Sequence, residues 1–426
     1  MEAFNWKELA QLAKERSPYY RDLYKDTSNF TKLSDLPIVD QSEYWSANTP
    51  KNNRVFTDSS VAGIAFKSGG TTDNPKFSVY SRDEWNTFCS VFGEGMNRAG
   101  LKAIDRIANL FYVGELYASF IFIMKCVELA PVGALQFPIS GSTKPEIILR
   151  TMQEFEINLL AGLPTTLMNV AEFYAEHKHD YPEIKVNKIM FGGESMYPDQ
   201  RNRLAEIFPS VDIRSIGYAS VDAGLIGYSD ESCGPDEHRC FGSATILEIV
   251  DEDSLEPISE IDRPGKIVLT NLIRSYMPII RYPVGDRAIW TEEQAPNSNR
   301  HDRKYKILGR SEEAARVGPV SVYFEDMRSV LMAMNLPFHV SAFQLLISHI
   351  DLKDLLTLRI ATHERPQDYQ AVEHQISERF GLERKMFADA IRDSKIHPLR
   401  IEWVEQSTLE INARTGKLRR VIDRRS

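Results

Sequence analysis

From about residue 60 to residue 290, short apolar runs alternate with helix-patterned stretches, and this alternation limits the fold more than any other feature of the chain. The runs RIANLFYV (106–113), INLLAGLP (157–164), KIMFGG (188–193) and GKIVLTNLI (265–273) have strand length and apolar centres. Such strands, separated by amphipathic segments, bury their apolar faces when helices pack on a sheet, which predicts α/β layering. Glycine or proline follows several of the runs, and turns after strands are where α/β proteins hold ligands.

The pattern changes after a polar connection at Asn297–Lys304 and the segment LGRSEEAARVGP. VSAFQLLISHI and LLTLRIAT read as two strands joined by a charged turn. A helix follows over Gln367–Arg379, then more helix, then a strand at LRIEWVE. These elements predict a small α+β unit of ordinary domain size. The chain's 426 residues exceed one ordinary core. The expectation is a large N-terminal multi-sheet α/β domain, 1–310, and a small α+β C-terminal domain, 311–426, with the boundary near Arg310–Ser311. No internal repeat or low-complexity segment interrupts this plan.

A net charge of −9 and a pI near 5.6 argue against a broad nucleic-acid or anionic-membrane surface, since both need positive charge. A local basic cleft for a phosphate ligand stays open. MEAFNWKELAQLAKERSPYY reads as one charged amphipathic helix, without the apolar core of a signal peptide. The most apolar stretch, around Leu116–Pro138, carries Lys125 and Glu128 and is broken by Pro131 and Gly133. It falls short of the ~20 residues of a membrane span and predicts a buried helix followed by a strand. Four cysteines make no disulfide framework, so a cytoplasmic location is expected. The oligomeric state is open, with a homodimer among the options.

Six segments carry candidate chemistry. SGGTTDNPK contributes Ser68, Gly69, Gly70, Thr71, Thr72 and Lys76 between the apparent strands IAF and FSVY. Glycines let N–H groups approach phosphates, hydroxyls donate further bonds, and lysine adds charge. The spacing is not that of a Walker A loop, and a polar hairpin turn is the alternative. In MFGGESM an apolar strand ends in Gly192, Gly193 and Glu194; a strand-to-helix turn explains it equally. In IGYASVDAGLIGY, Tyr218 can stack on a flat ring and Asp222 can hold a divalent metal, with core packing as the alternative. In MPIIRYPVGDRA, Asp286 can accept bonds from a ribose diol or act as a cap. LGRSEEAARVGP supplies Arg310 and Glu312, and RTGKLRRVID supplies Lys417 on what is otherwise a basic turn. Cys233, His238 and Cys240 form C-x4-H-x-C in an expected loop. They name three of the four ligands a structural zinc needs, and a plain loop with free thiols is the default.

Taken in order, the six segments resemble the signature series of the adenylate-forming superfamily, which includes acyl- and aryl-CoA ligases, peptide-synthetase adenylation domains and luciferases. The phenylacetate-CoA ligase branch is the most similar in style, and the resemblance runs from about residue 60 to the C-terminus. It implies ATP and Mg2+ as cofactors and a small-molecule carboxylic acid as substrate. By resemblance, Ser68–Lys76 is the mobile phosphate loop, and Gly193 and Glu194 stand beside the adenine. Tyr218, Ala219 and Ser220 begin the adenine-stacking run, and Asp222 stands where a Glu helps bind Mg2+. Asp286 holds the ribose hydroxyls beside Arg310, Glu312 marks the hinge, and Lys417 is the catalytic lysine of a mobile C-terminal lid.

The departures bear on the second half of the reaction. Asp222 is one methylene shorter than the usual Glu, and Ala219 replaces a Gly. Where the family has an Arg-Gly pair in the loop for thioester formation, Gly318-Pro319 is the nearest match, and proline removes an N–H. Adenylation is therefore better supported than CoA transfer. The acceptor is CoA, a carrier-protein thiol or an amine, as in antibiotic tailoring of an aryl acid such as a phenazine carboxylate. Phe111, Tyr112, Leu163, Pro164 and Met196 are candidate pocket walls that core packing explains equally well. A non-catalytic nucleotide-binding scaffold is the reading from another class; joint retention of Lys76, Asp286, Arg310 and Lys417 argues against it.

Overall fold

The computed structural model describes the whole chain except residues 1, 28–29, 68–76, 194–195, 197, 252–253, 295–301, 311–313, 319, 335, 337, 352, 363–367, 412–415 and 426. Its contacts divide the chain into two units, Met1–Leu308 with Arg414–Gly416, and Gly309–Ala413 with Lys417–Ser426.

The N-terminal segment is two helices, not the single one expected. Helix α1 (Trp6–Arg16) stops at Ser17, whose N–H bonds Ala13 O, and α2 (Pro18–Leu23) starts there. The Ser17 side chain accepts from Tyr20 N, and Pro18 takes the first helical position, where its missing N–H costs nothing. Helix α3 (Gln41–Ala47) is capped by Asp40, which accepts from Glu43 N at 2.9 Å. Strands β1 (Gly63–Lys67) and β2 (Phe77–Ser81) pair antiparallel, with Lys67 opposite Phe77. A Ser81–Glu84 capping box then opens helix α4 (Arg82–Arg98).

The alternating region builds a five-stranded sheet. Its elements are β3 (Arg106–Leu110), α5 (Ser119–Leu129), β4 (Leu135–Pro138), α6 (Pro145–Glu154), β5 (Leu159–Gly162), α7 (Pro164–Glu176), β6 (Lys188–Phe191), α8 (Pro198–Ile207) and β7 (Asp212–Ser215). The strands are parallel in the order β4-β3-β5-β6-β7, so all their carboxyl ends lie along one edge. Helices α6, α7 and α8 cover a core of Ile148, Leu149, Leu160, Leu167 and Ile189. The apolar stretch near Leu116–Pro138 is the helix-then-strand α5–β4, and among the described residues no helix is long and apolar enough to cross a membrane.

A seven-stranded sheet follows: β8 (Tyr218–Ser220), β9 (Gly224–Tyr228), β10 (Glu237–Cys240), β11 (Thr245–Val250), β12 (Gly265–Asn271), β13 (Tyr282–Trp290) and β14 (Lys304–Arg310), in the order β11-β12-β13-β14-β10-β9-β8. Its core includes Ile226, Ile249, Ile267, Leu269, Tyr282 and Tyr305 and is shared with Tyr20, Tyr24 and Tyr44 of the N-terminal helices.

The second unit holds the hairpin β15 (Ala314–Val317) and β16 (Val320–Tyr323), helix α9 (Phe324–Ala333), β17 (Val340–Ile350), β18 (Lys353–Thr362), α10 (Tyr369–Glu383), α11 (Lys385–Arg392), β19 (Arg400–Val404) and β20 (Val421–Asp423). Its four-stranded sheet runs β19-β18-β17-β20, with the long β17–β18 hairpin at its centre. The chain is thus α/β in its larger part and α+β in its smaller.

Candidate functional site

The carboxyl ends of parallel strands gather the loops of an α/β protein into one place. Here β6 ends at Phe191 and runs into Gly192 and Gly193, while β7 ends at Ser215 and runs into Gly217 and Tyr218. Gly217 has φ +128°, and a Cβ there would stand 2.7 Å from Cζ of Phe92. Neither the conformation nor the space admits a larger residue. Gly193 has φ +80°. A Cβ on Gly192 would meet Ile216 Cγ2 at 2.7 Å, so glycine allows the close approach of the two strand ends.

Tyr218 leaves this edge on β8, and its hydroxyl donates to Asp286 Oδ2. Asp286 lies on β13 just after Gly285, whose φ is +88°, and its carboxylate is largely buried. Below Tyr218 lies His238 of β10, with ring centroids 5.8 Å apart. Its Nε2 and Ser215 Oγ form a hydrogen bond of 2.8 Å, and Ser215 Oγ also accepts from Gly217 N at 3.2 Å. Burial lowers the His238 pKa to about 4, so its imidazole is neutral at pH 7.

The turn between β8 and β9 carries Asp222. Three successive carbonyls of this turn each receive a donor from elsewhere. Tyr80 hydroxyl donates to Val221 O at 2.8 Å, Arg274 Nη1 to Asp222 O at 2.5 Å, and Asn271 Nδ2 to Ala223 O at 2.9 Å. Arg274 is fully buried; its other arm donates to Val79 O at 3.0 Å, and its guanidinium lies 4.2 Å over the Tyr80 ring. The Asp222 carboxylate is held too. Oδ1 accepts from Ala223 N at 3.0 Å, and Oδ2 accepts from Tyr282 hydroxyl at 2.8 Å. Ser220 Oγ also accepts from Ala223 N, at 3.0 Å.

The expected residues therefore divide. Tyr218, Ala219, Ser220, Asp222 and Asp286 meet in the larger unit, with Gly193 at the neighbouring strand end. Ser68, Gly69, Gly70, Thr71, Thr72, Lys76, Glu194 and Glu312 lie outside the described residues, as does the Arg310 side chain. Lys417 belongs to the second unit, one residue before the bridge that pairs Ile411 with Leu418. Tyr80, Arg274, Asn271, Tyr282, Ser215 and His238 were not picked out as parts of this arrangement from sequence. Arg274 had a signal, a lone arginine ending the apolar run GKIVLTNLI.

The candidate zinc group is corrected. His238 and Cys240 lie on strand β10, not in a loop, and both point inward, where His238 is engaged by Ser215 and burial pushes the Cys240 thiol far up. Cys233 donates to Asp230 Oδ1 at 3.5 Å. Among the described residues no three His, Cys, Asp or Glu side chains are grouped to hold a metal. Asp222 alone still fits Mg2+, which keeps its waters and is usually bound through one or two carboxylates plus substrate phosphates. Of the candidate pocket walls, Phe111, Leu163 and Met196 are buried within hydrophobic clusters, so packing accounts for them.

No protein-family model matches the chain. It is 24% identical over 433 residues to phenylacetate-coenzyme A ligase of Thermus thermophilus, covering 98% of this chain and 95% of that protein. It is 27% identical over 238 residues to indoleacetate–lysine synthetase of Pseudomonas savastanoi, covering 53% of each. A 2-hydroxyisobutyryl-CoA ligase in the postadenylation state, in complex with 2-HIB-AMP, superposes with a TM-score of 0.76 at 18% identity, over 99% of this chain and 88% of that one. An acyl acid amido synthetase in complex with 2,4-DB gives 0.73 at 12% identity, over 99% and 92%.

Proposed function

We propose that this chain, an adenylate-forming ligase of the phenylacetate-CoA ligase-like branch, joins an aryl carboxylate to AMP and passes the acyl group to an acceptor. The observation that carries the reading is the bond from Tyr218 to Asp286, residues of two separate motifs, with Asp222 of the first motif held by Tyr282 of the second.

In this reading a carboxylate oxygen attacks the α-phosphorus of ATP. A new P–O bond forms, the bond to the β-phosphate oxygen breaks, and its electron pair leaves with pyrophosphate. Both partners are anions, so positioning and positive charge are what the protein can add. Asp286 accepts the ribose hydroxyls, Tyr218 lies against the adenine, and the Ser68–Lys76 run holds the β- and γ-phosphates. Mg2+, when bound through Asp222, supplies charge on the phosphate oxygens. Residues 1–310 form the nucleotide-binding domain. Residues 311–426 form a lid that brings Lys417 to the α-phosphate and keeps water from the mixed anhydride.

Two acceptors are supported by the named relatives, a CoA thiol and an amine. Proline at 319 favours the amine, since the loop at Gly318 loses one donor. Gly318 is itself tightly fixed. Its φ is +55°, its N–H donates to Asp354 Oδ2 at 2.8 Å, and a Cβ there would stand 2.6 Å from Ile396 Cγ2. The test is pyrophosphate release with ATP and Mg2+ across aryl acids, a phenazine carboxylate among them, and fatty acids, without acceptor and then with CoA or with amines. Release with an aryl acid, and a product mass unchanged by CoA but shifted by an amine, is expected. A CoA thioester would instead assign the acceptor to CoA, and silence across the aryl acids would refute the substrate class.

A further inference from the structure

The first sixty residues lie outside the motif series, yet they hold the segment 278–283 at several points. Tyr20 and Tyr44 hydroxyls both donate to Pro278 O, at 2.9 and 3.0 Å. Val39 N donates to Arg281 O at 3.0 Å, and Arg281 Nη1 returns to Leu36 O at 2.6 Å. Gln41 Nε2 donates to Pro283 O. The residues so held, 278–283, lead directly into β13 and Asp286.

One of these contacts continues into the site. Trp45 Nε1 on α3 donates to the Tyr282 hydroxyl oxygen at 2.9 Å, and the Tyr282 hydroxyl donates to Asp222 Oδ2 at 2.8 Å. The direction is fixed, because an indole N–H can only donate and a carboxylate can only accept. Tyr282 is fully buried, and the Trp45 and Tyr282 rings meet edge to face, with centroids 6.2 Å apart. Asp222 is a short carboxylate with one rotatable bond fewer than Glu, and the buried Tyr282 hydroxyl on Oδ2, with Ala223 N on Oδ1, helps set where its oxygens point.

We infer that Tyr282, oriented by Trp45, is a positioning residue for the Asp222 carboxylate, and that the N-terminal helices thereby set the affinity of the nucleotide site for its divalent cation. This rests on the reading of Asp222 as the carboxylate that meets Mg2+. Outer-shell partners of this kind typically change metal affinity about 10–100-fold when removed.

The test uses the full chain and reads ATP binding by calorimetry, in EDTA and across a Mg2+ titration. Tyr282→Phe should raise the Mg2+ concentration for half-maximal enhancement of ATP binding about tenfold. Trp45→Phe should raise it less, in the same direction, and metal-free ATP affinity should stay within about twofold in both. Tyr20→Phe, which removes two bonds of the same N-terminal clamp, to Pro278 O and from Ile280 N, without touching the Trp45–Tyr282–Asp222 chain, should leave the Mg2+ midpoint in place. An unchanged midpoint in Tyr282→Phe, with wild-type Mg2+ dependence intact, would overturn the inference while leaving the proposed function standing. So would an equal shift in Tyr20→Phe, which marks a general loss of packing. A wild-type protein that binds no ATP would overturn the proposed function and the inference with it. Should Tyr282→Phe fail to fold, Trp45→Phe decides by the same midpoint.

Discussion

Single residues carry the sharpest expectations. Lys417→Ala should abolish adenylate formation, by at least about a hundredfold in rate, while ATP still binds. Pyrophosphate release and calorimetry on the same preparation separate the two effects, and an undiminished rate would remove Lys417 from the chemistry. Asp286→Asn keeps an acceptor for Tyr218 but loses the charge, and should weaken ATP binding about tenfold, read as Kd. His238 gives a pH dependence of stability. Its folded pKa, about 4, lies below the ordinary 6.5, so between these values the unfolded chain takes up a proton that the folded one refuses. Stability is then full above pH 6.5 and falls as the pH drops towards 4, by roughly 3 kcal/mol in all. His238→Gln should flatten that decline in urea unfolding at pH 7, 5 and 4. Tyr218, Asp222 and Asp286 were legible in the sequence because short motifs surround them. Arg274, Asn271 and Tyr282 were not, because they act through backbone carbonyls and a carboxylate distant in sequence, and a buried arginine looks like a surface one until the fold closes over it.

Among the elements, the junction of β2 and α4 is tied by a buried carboxylate. Glu84 is fully buried; its Oε1 accepts from Ser275 N and Tyr276 N, both at 2.7 Å, and from Ser275 Oγ at 3.2 Å, while Oε2 accepts from Ser81 N at 2.8 Å. Glu84→Ala leaves these donors unpaired and should cost about 3 kcal/mol or more, read as a lower urea midpoint; Glu84→Gln should cost less. Strand and helix positions through the alternating region follow from apolar periodicity, and so do the β17–β18 hairpin and α10. The order β4-β3-β5-β6-β7 does not, since parallel strands pair across helices and leave no local mark. Two local readings failed for local reasons. Ser17-Pro18 ends one helix and starts another within a stretch whose apolar pattern continues, and His238 and Cys240 belong to a strand too short to show alternation.

At the level of the molecule, a mixed α/β fold of several sheets is the fold class that the sequence pattern predicts. The proposed function assigns Ser68–Lys76 to the phosphates, Tyr218 to the adenine, Asp286 to the ribose and Lys417 to the chemistry of one acyl-adenylating enzyme. Acid-dependent exchange of labelled pyrophosphate into ATP tests that claim most directly, because it runs the first half-reaction backwards and needs no acceptor. The expected result is exchange that requires Mg2+ and one aryl acid and is lost in Lys417→Ala. Exchange that ignores every carboxylic acid supplied, or that survives unchanged in Lys417→Ala, would contradict it.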